Sequence, residues 1–128
     1  MFLRSLLVDD NDAFLEAASV LLEGEGVTVA GVASDTAEAL RQARALRLDV
    51  ILVDIGLGDE SGFDLAWLLA RDRQGSQKVQ TGRAEVILIS SYAETDYAEL
   101  IAESPAAGFL AKSELSAQAI GRILRRTP

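Results

Sequence analysis

Hydrophobic residues fall along this chain in two alternating rhythms. Continuous apolar runs, Leu6-Leu7-Val8, Val50 to Val53 and Val86 to Ile89, each break off into polar residues. Runs of this length predict central strands buried on both faces of a sheet. Two weaker segments predict edge strands: Val27 to Val32, which alternates around Thr28 and Gly31, and the very short Gly108 to Ala111. Between the strands the apolar spacing lengthens to that of helices. Phe14, Ala18 and Leu21-Leu22 mark the first, Ala37 and Leu40 the second, Leu65, Leu68 and Leu69 the third. The last helix sets Leu115, Ala119 and Ile123 on one face, with Ile120 and Leu124 beside it.

Glycine, proline and capping residues agree with these boundaries. Gly24 and Gly26 close the first helix, Ser34 or Asp35 caps the second, and Pro105 ends the fourth. The stretch QGSQKVQTGR, Gln74 to Arg83, has no apolar period and reads as a long surface loop or frayed helix end. Strand and helix thus alternate five times across one domain, residues 1–128. Right-handed crossovers with helices on both faces predict an α/β, doubly wound (βα)5 sheet, a flavodoxin-like three-layer sandwich. Weak second and fifth strands belong at the edges, so the parallel order is 2-1-3-4-5. In such a sheet the ligand site lies beyond the carboxyl ends of the strands.

Composition removes most catalytic chemistries. Histidine and cysteine are both absent, which eliminates Ser-His-Asp triads, thiol nucleophiles, disulfides and the commonest zinc ligands. The net charge of −8 disfavours nonspecific attraction to nucleic acid or an anionic membrane surface. Arg122, Arg125 and Arg126 form the obvious local basic patch, with a role complementing the dipole of the last helix. The N-terminus opens straight into a short apolar strand without a basic leader, and no apolar run approaches a membrane span. The expected location is the cytoplasm.

Chemistry must therefore come from carboxylates, and the strand ends carry them. Asp9 and Asp10 follow the first strand, Asp54 ends the third, Ser90 the fourth and Lys112 the fifth. Each alone has a plainer reading, as a helix or turn cap for the acids and the serine, and as a solvated end for the lysine. Gathered at one sheet edge they make a phosphorylation site. Adjacent carboxylates repel unless a divalent cation compensates them, and magnesium favours hard oxygen ligands together with phosphate. Asp54 is placed to attack a phosphoryl group and hold it as an acyl phosphate, with a hydroxyl and an ammonium to offset its charge. Gly56, Gly58 and Gly62 permit a tight loop after it. Two rival readings fail on residues. A haloacid-dehalogenase-type phosphatase needs a second acid where Gly56 stands, and a flavin site needs a hydroxyl- and glycine-rich loop where the chain has DDND.

These residues carry a close resemblance to the receiver domain of bacterial two-component response regulators. It rests on LLVDDND, LVDIGLGDESGFDLA, ILISSY and GFLAKSEL, with successive intervals of 44, 36 and 22 residues separating Asp10, Asp54, Ser90 and Lys112. The resemblance implies that Asp54 takes a phosphoryl group from a sensor histidine kinase or phosphotransfer protein. It implies that Asp10, Asp54 and the backbone carbonyl of Gly56 bind Mg2+ or Mn2+, with Asp9 acting mainly through bound water, and that Ser90 and Lys112 grip the phosphate. It also implies a switch through Ser90 and Phe109 that remodels the face of the fourth helix, fifth strand and fifth helix. A downstream protein, a fused output domain or a second copy of the chain would then bind that face.

Departures from the family pattern qualify these expectations. Leu57-Gly58 replaces the common Met-Pro, which predicts a more mobile loop, and Ser113 replaces the usual proline, so no cis peptide is expected there. Lys112-Ser113 resembles the NarL/FixJ-like subgroup, whose members commonly add a DNA-binding domain; the expectation for these 128 residues is a receiver with no output domain and no direct nucleic-acid contact. Phe109 lacks the hydroxyl of the common tyrosine, so its switching would be steric. Tyr92 stands where it would shield the phosphate from water, while Gly56 leaves the other side open. The competing expectation is a degenerate receiver serving as a phosphate-independent interaction module, against which stands the retention of all five site residues.

Overall fold

The computed structural model describes residues 3–75, 84–92 and 94–126. Its elements follow in the order β1 (Arg4–Val8), α1 (Asp12–Gly24), β2 (Thr28–Ala33), α2 (Thr36–Ala45), β3 (Val50–Asp54), α3 (Gly62–Gly75), β4 (Glu85–Ser90), α4 (Ala98–Glu103), β5 (Gly108–Ala111) and α5 (Ala117–Arg126). Single 3-10 turns, Glu94–Tyr97 and Lys112–Glu114, lead into the last two helices. The sheet is parallel throughout and ordered β2-β1-β3-β4-β5, as the strong central and weak outer runs predict.

The sheet divides the core in two because successive strand residues point to opposite faces. Leu6, Val8, Ile51, Val53 and Leu88 pack on one side with Ala39 of α2 and Leu65 and Leu69 of α3. Leu7, Leu52, Ile87 and Ile89 pack on the other with Leu15 and Leu22 of α1 and Ile120 and Ile123 of α5. Each fully buried Leu or Ile contributes on the order of 2 kcal/mol of apolar transfer. The central strands are thereby committed to this register.

Helix faces follow the sequence reading at Ala18, Leu22, Leu65, Leu69, Ile120 and Ile123 and depart from it at neighbouring positions. In α1 the buried residues are Leu15, Ala18 and Leu22, whereas Leu21 is largely exposed. In α2 the core residue is Ala39 and Ala37 faces out; in α3 Ala66 joins Leu65 and Leu69 while Leu68 is only half-buried. Leu115 is buried but precedes α5, whose inward stripe is Ile120 and Ile123, with Ala119 and Leu124 at its flanks. Where apolar residues stand on adjacent positions, the angle at which the helix meets the sheet decides which of them is covered.

The caps are equally specific. Asn11, not Asp9 or Asp10, caps α1, accepting from the Phe14 amide at 3.1 Å, and Asp35 caps α2 through the Glu38 amide at 2.8 Å. Gly26, with φ of 93°, turns the chain out of α1. Helix α3 runs to Gly75, so Gln74 and Gly75 belong to its last turn; the remainder of the expected loop, 76–83, lies outside the described residues. All described peptide bonds are trans, including that after Lys112.

Candidate functional site

The site is built where β1, β3 and β5 end. Asp9 leaves β1 with its amide still paired to the Ala33 carbonyl at 3.0 Å, which fixes the backbone and turns the side chain into the sheet edge. Its Oδ1 accepts from the Asn11 amide at 2.9 Å, so the residue that caps α1 also orients Asp9. Its Oδ2 lies 2.6 Å from Lys112 Nζ yet outside hydrogen-bond geometry, leaving a fully buried carboxylate oxygen with charge attraction but no donor. Asp10, the next residue, is exposed at the rim.

Asp54 ends β3, nearly buried at 8% exposure. Its Oδ2 is 3.4 Å from Lys112 Nζ and its Oδ1 accepts from the Gly56 amide at 3.4 Å, both long contacts. One carboxylate oxygen from each of Asp9, Asp10 and Asp54 can be chosen so that all three lie within 4.8 Å of one another. Three carboxylates and one ammonium therefore share a small volume, an imbalance that a divalent cation would correct. Burial, and then the charge of Asp9, push the Asp54 carboxyl up to about 6, against the opposing pull of Lys112 and the Gly56 amide.

The loop after Asp54 is held in place by several contacts. Gly56-Leu57 bridges back to Glu60-Ser61 as a minimal antiparallel hairpin, turning at Gly58 with φ of 63°. Leu57 is buried, and Glu60 Oε1 accepts from the Thr36 amide at 2.8 Å, tying the loop to the start of α2. A Cβ at Gly62 would collide with the Asp54 carbonyl oxygen, so only glycine lets α3 start against the strand end. The expected substitution of Leu57-Gly58 for Met-Pro therefore sits in a loop anchored at both ends. Gly56 itself lies exposed at the mouth of the site.

Ser90 ends β4, one position beyond Ile89, which is level with Asp54 in the neighbouring strand. It is fully buried, and its Oγ accepts from the Tyr92 amide at 2.9 Å. Phe109, on β5, is half-buried and packs on the face that also holds Tyr97, Phe63 and Ile101. Tyr92 is mostly exposed and its ring lies 6.5 Å from that of Tyr97, which in turn lies 6.3 Å from Phe63.

The structure groups Asp9, Asp10 and Asp54 within 4.8 Å of one another and sets Lys112 against Asp9 and Asp54, with the Gly56 amide on Asp54; Ser90 ends the strand next to that of Asp54, and Phe109 lies on the edge strand beyond it. Sequence reasoning missed two supporting residues. Asn11 went unnoticed as the cap that also holds Asp9. Phe14 was placed only in the helix stripe, whereas the Lys112 ammonium stands 4.4 Å from the centre of its ring. The available signal was an aromatic residue in the first turn after the acidic pair.

Such a site brings together a nearly buried carboxylate, an ammonium and two further carboxylates that could hold a metal ion, the groups that transfer of a phosphoryl group to a carboxylate requires. The family model described as "Response regulator receiver domain" matches residues 6–124. Among curated relatives, the DNA-binding response regulator MtrA of Mycolicibacterium smegmatis is 38% identical over 69 residues, covering 54% of this chain and 30% of its own length. The alginate biosynthesis transcriptional regulatory protein AlgB of Pseudomonas aeruginosa is 31% identical over 110 residues, covering 85% and 22%. The chain spans half or less of the length of the curated relatives it matches. Among solved structures, the signal receiver domain of the NarL response regulator from Mycobacterium tuberculosis superposes with a TM-score of 0.76 at 28% identity, covering 97% of this chain and 94% of that one. A Burkholderia pseudomallei response regulator carrying a phosphorylated aspartic acid, a calcium ion and citrate gives a TM-score of 0.73 at 28% identity, covering 94% and 65%.

Proposed function

We propose, since this chain belongs to the response regulator receiver domain family, that Asp54 is its phosphoacceptor and that a sensor histidine kinase or phosphotransfer protein is the donor. The observation that carries this reading is the nearly buried Asp54 carboxylate, grouped with Asp9 and Asp10 and facing Lys112 at 3.4 Å. A carboxylate oxygen of Asp54 attacks phosphorus, the bond from phosphorus to the donor imidazole nitrogen breaks, and that nitrogen leaves with the electron pair and takes up a proton. The product is an acyl phosphate. Lys112 shifts from the carboxylates to a phosphoryl oxygen, and the Ser90 hydroxyl donates to another.

Asp9, Asp10, Asp54 and the Gly56 backbone carbonyl would hold Mg2+ or Mn2+. The donor set fits: hard oxygens and an excess of negative charge, with the buried Asp9 Oδ2 held by charge attraction to Lys112 but outside hydrogen-bond geometry. When bound, the ion supplies positive charge that offsets the incoming phosphoryl oxygens.

Drawing Ser90 toward the phosphate releases the Tyr92 amide and opens the space into which Phe109 turns. The surface of α4, β5 and α5 then favours a different partner, a shift of population set by how much better one conformation holds the phosphate. The domain assists its own phosphorylation and slow hydrolysis without being a turnover enzyme. Its location is the cytoplasm; no described helix is long and apolar enough to cross a membrane. Its partner is an output domain or a separate downstream protein, a reading supported by the relative MtrA, which is named a DNA-binding response regulator.

Acyl phosphates are cleaved by neutral hydroxylamine, whereas phosphoserine and phosphotyrosine are not. Label taken up from acetyl phosphate should therefore be released by hydroxylamine. Label that survives the treatment would contradict a carboxylate acceptor.

A further inference from the structure

Among the described residues Lys112 carries the one ammonium that reaches the carboxylates of the site, and a lysine stem leaves such a charge free to wander because holding it in one place costs rotamer entropy. Its position here is nevertheless defined from three sides. Asp9 Oδ2 is 2.6 Å away, Asp54 Oδ2 is 3.4 Å away, and the Phe14 ring centre is 4.4 Å away. The side chain is only 16% exposed, so little water competes for the charge.

The ring is itself held by the acidic segment. Asn11 accepts from the Phe14 amide while its own amide donates to Asp9. The start of α1 therefore places a carboxylate and an aromatic face against the same ammonium. The face of a phenyl ring attracts a cation through its quadrupole without offering a lone pair or a proton acceptor. Of the three neighbours, Phe14 alone attracts the ammonium without tying up a carboxylate.

We infer that Phe14 is a positioning residue for phosphoryl transfer: its ring seats the Lys112 ammonium within reach of the incoming phosphate while keeping it at a long contact from Asp54. Without the ring, the ammonium falls back on Asp9 and Asp54, neutralising the nucleophile and leaving the phosphate less well met. A sheltered contact of this kind supports about a fivefold effect on rate. The inference rests on the reading of Asp54 as phosphoacceptor.

The test compares the parent chain with Phe14→Leu, Phe14→Met and Phe14→Tyr. Two readings are taken: the NMR shifts of the Lys112 ε-methylene protons, and the rate of phosphorylation by acetyl phosphate with Mg2+. The ring should move the lysine signals upfield in the parent and in Phe14→Tyr, and the displacement should vanish in Phe14→Leu and Phe14→Met. Phosphorylation should slow about fivefold in the two ring-free variants and return to the parental rate in Phe14→Tyr. Unchanged lysine shifts on removing the ring, parental rates in both ring-free variants, or equal slowing in all three variants would each overturn the inference, the last by showing that packing alone is at work. Failure of the parent itself to take up phosphate would refute the phosphoacceptor reading, and the lysine shifts would then decide the contact on their own.

Discussion

Asp54 is held in a setting that disfavours its own charge. Its carboxyl, ordinarily near 3.8, is raised to about 6 by burial and by Asp9. In the unfolded chain it regains its ordinary value, so between about 4 and 6 the folded protein binds the proton more tightly. The stability this contributes is complete below the lower value and is lost as pH rises through about 6. At neutral pH the ionised carboxylate lowers stability by on the order of 2 kcal/mol. Asp54→Asn, neutral at every pH, should therefore be the more stable protein at pH 7.5 without divalent cation, and should match the parent near pH 4. Denaturant melts of both proteins at the two pH values check this. An Asn variant less stable than its parent at pH 7.5 would show that the carboxylate is well accommodated without metal. The single site residues were legible in the sequence because each ends an apolar run; Asn11 and Phe14 were not, because their roles depend on which side chains fold back over the first turn of α1.

Glycine at the start of α3 decides whether an element can approach the site at all. The amide of Gly62 donates to the Ile55 carbonyl at 2.9 Å, and the space its Cβ would need is filled by the Asp54 backbone. Gly62→Ala must push α3 or the strand end aside, at a cost of roughly 1–3 kcal/mol or more. The predicted result is a lower melting temperature together with weakened Mg2+ binding; a variant with parental values for both would mean that the loop yields freely. Elements were legible to different degrees for physical reasons. The strands were readable because each central strand carries an unbroken apolar run of three or four residues. The helix faces were legible only in part, because α1 carries Phe14-Leu15 and Leu21-Leu22 as adjacent pairs and only packing chooses Leu15 and Leu22. The boundary of α3 was misplaced because Gln74 and Gly75 lack apolar character yet continue the hydrogen-bonded turn.

For the whole molecule, a chain without histidine or cysteine brings its chemistry together by topology. The parallel order β2-β1-β3-β4-β5 sets the ends of β1 and β3 side by side, and Lys112 reaches back from the edge strand to both. That order was legible from the contrast between strong central and weak outer runs. What the runs alone could not give was the charge balance of the assembled cleft, three carboxylates against one ammonium, which emerges only from distances. This imbalance links the fold to its proposed use: a divalent cation would offset the excess negative charge, to which an incoming phosphoryl group adds. The most direct test is the intact mass of the protein after incubation with Mg2+ and acetyl phosphate, beside Asp54→Asn and a chelator control. The account predicts the gain of one phosphoryl group by the parent with Mg2+ alone. An equal gain by Asp54→Asn, or by the parent with the metal removed, would contradict it.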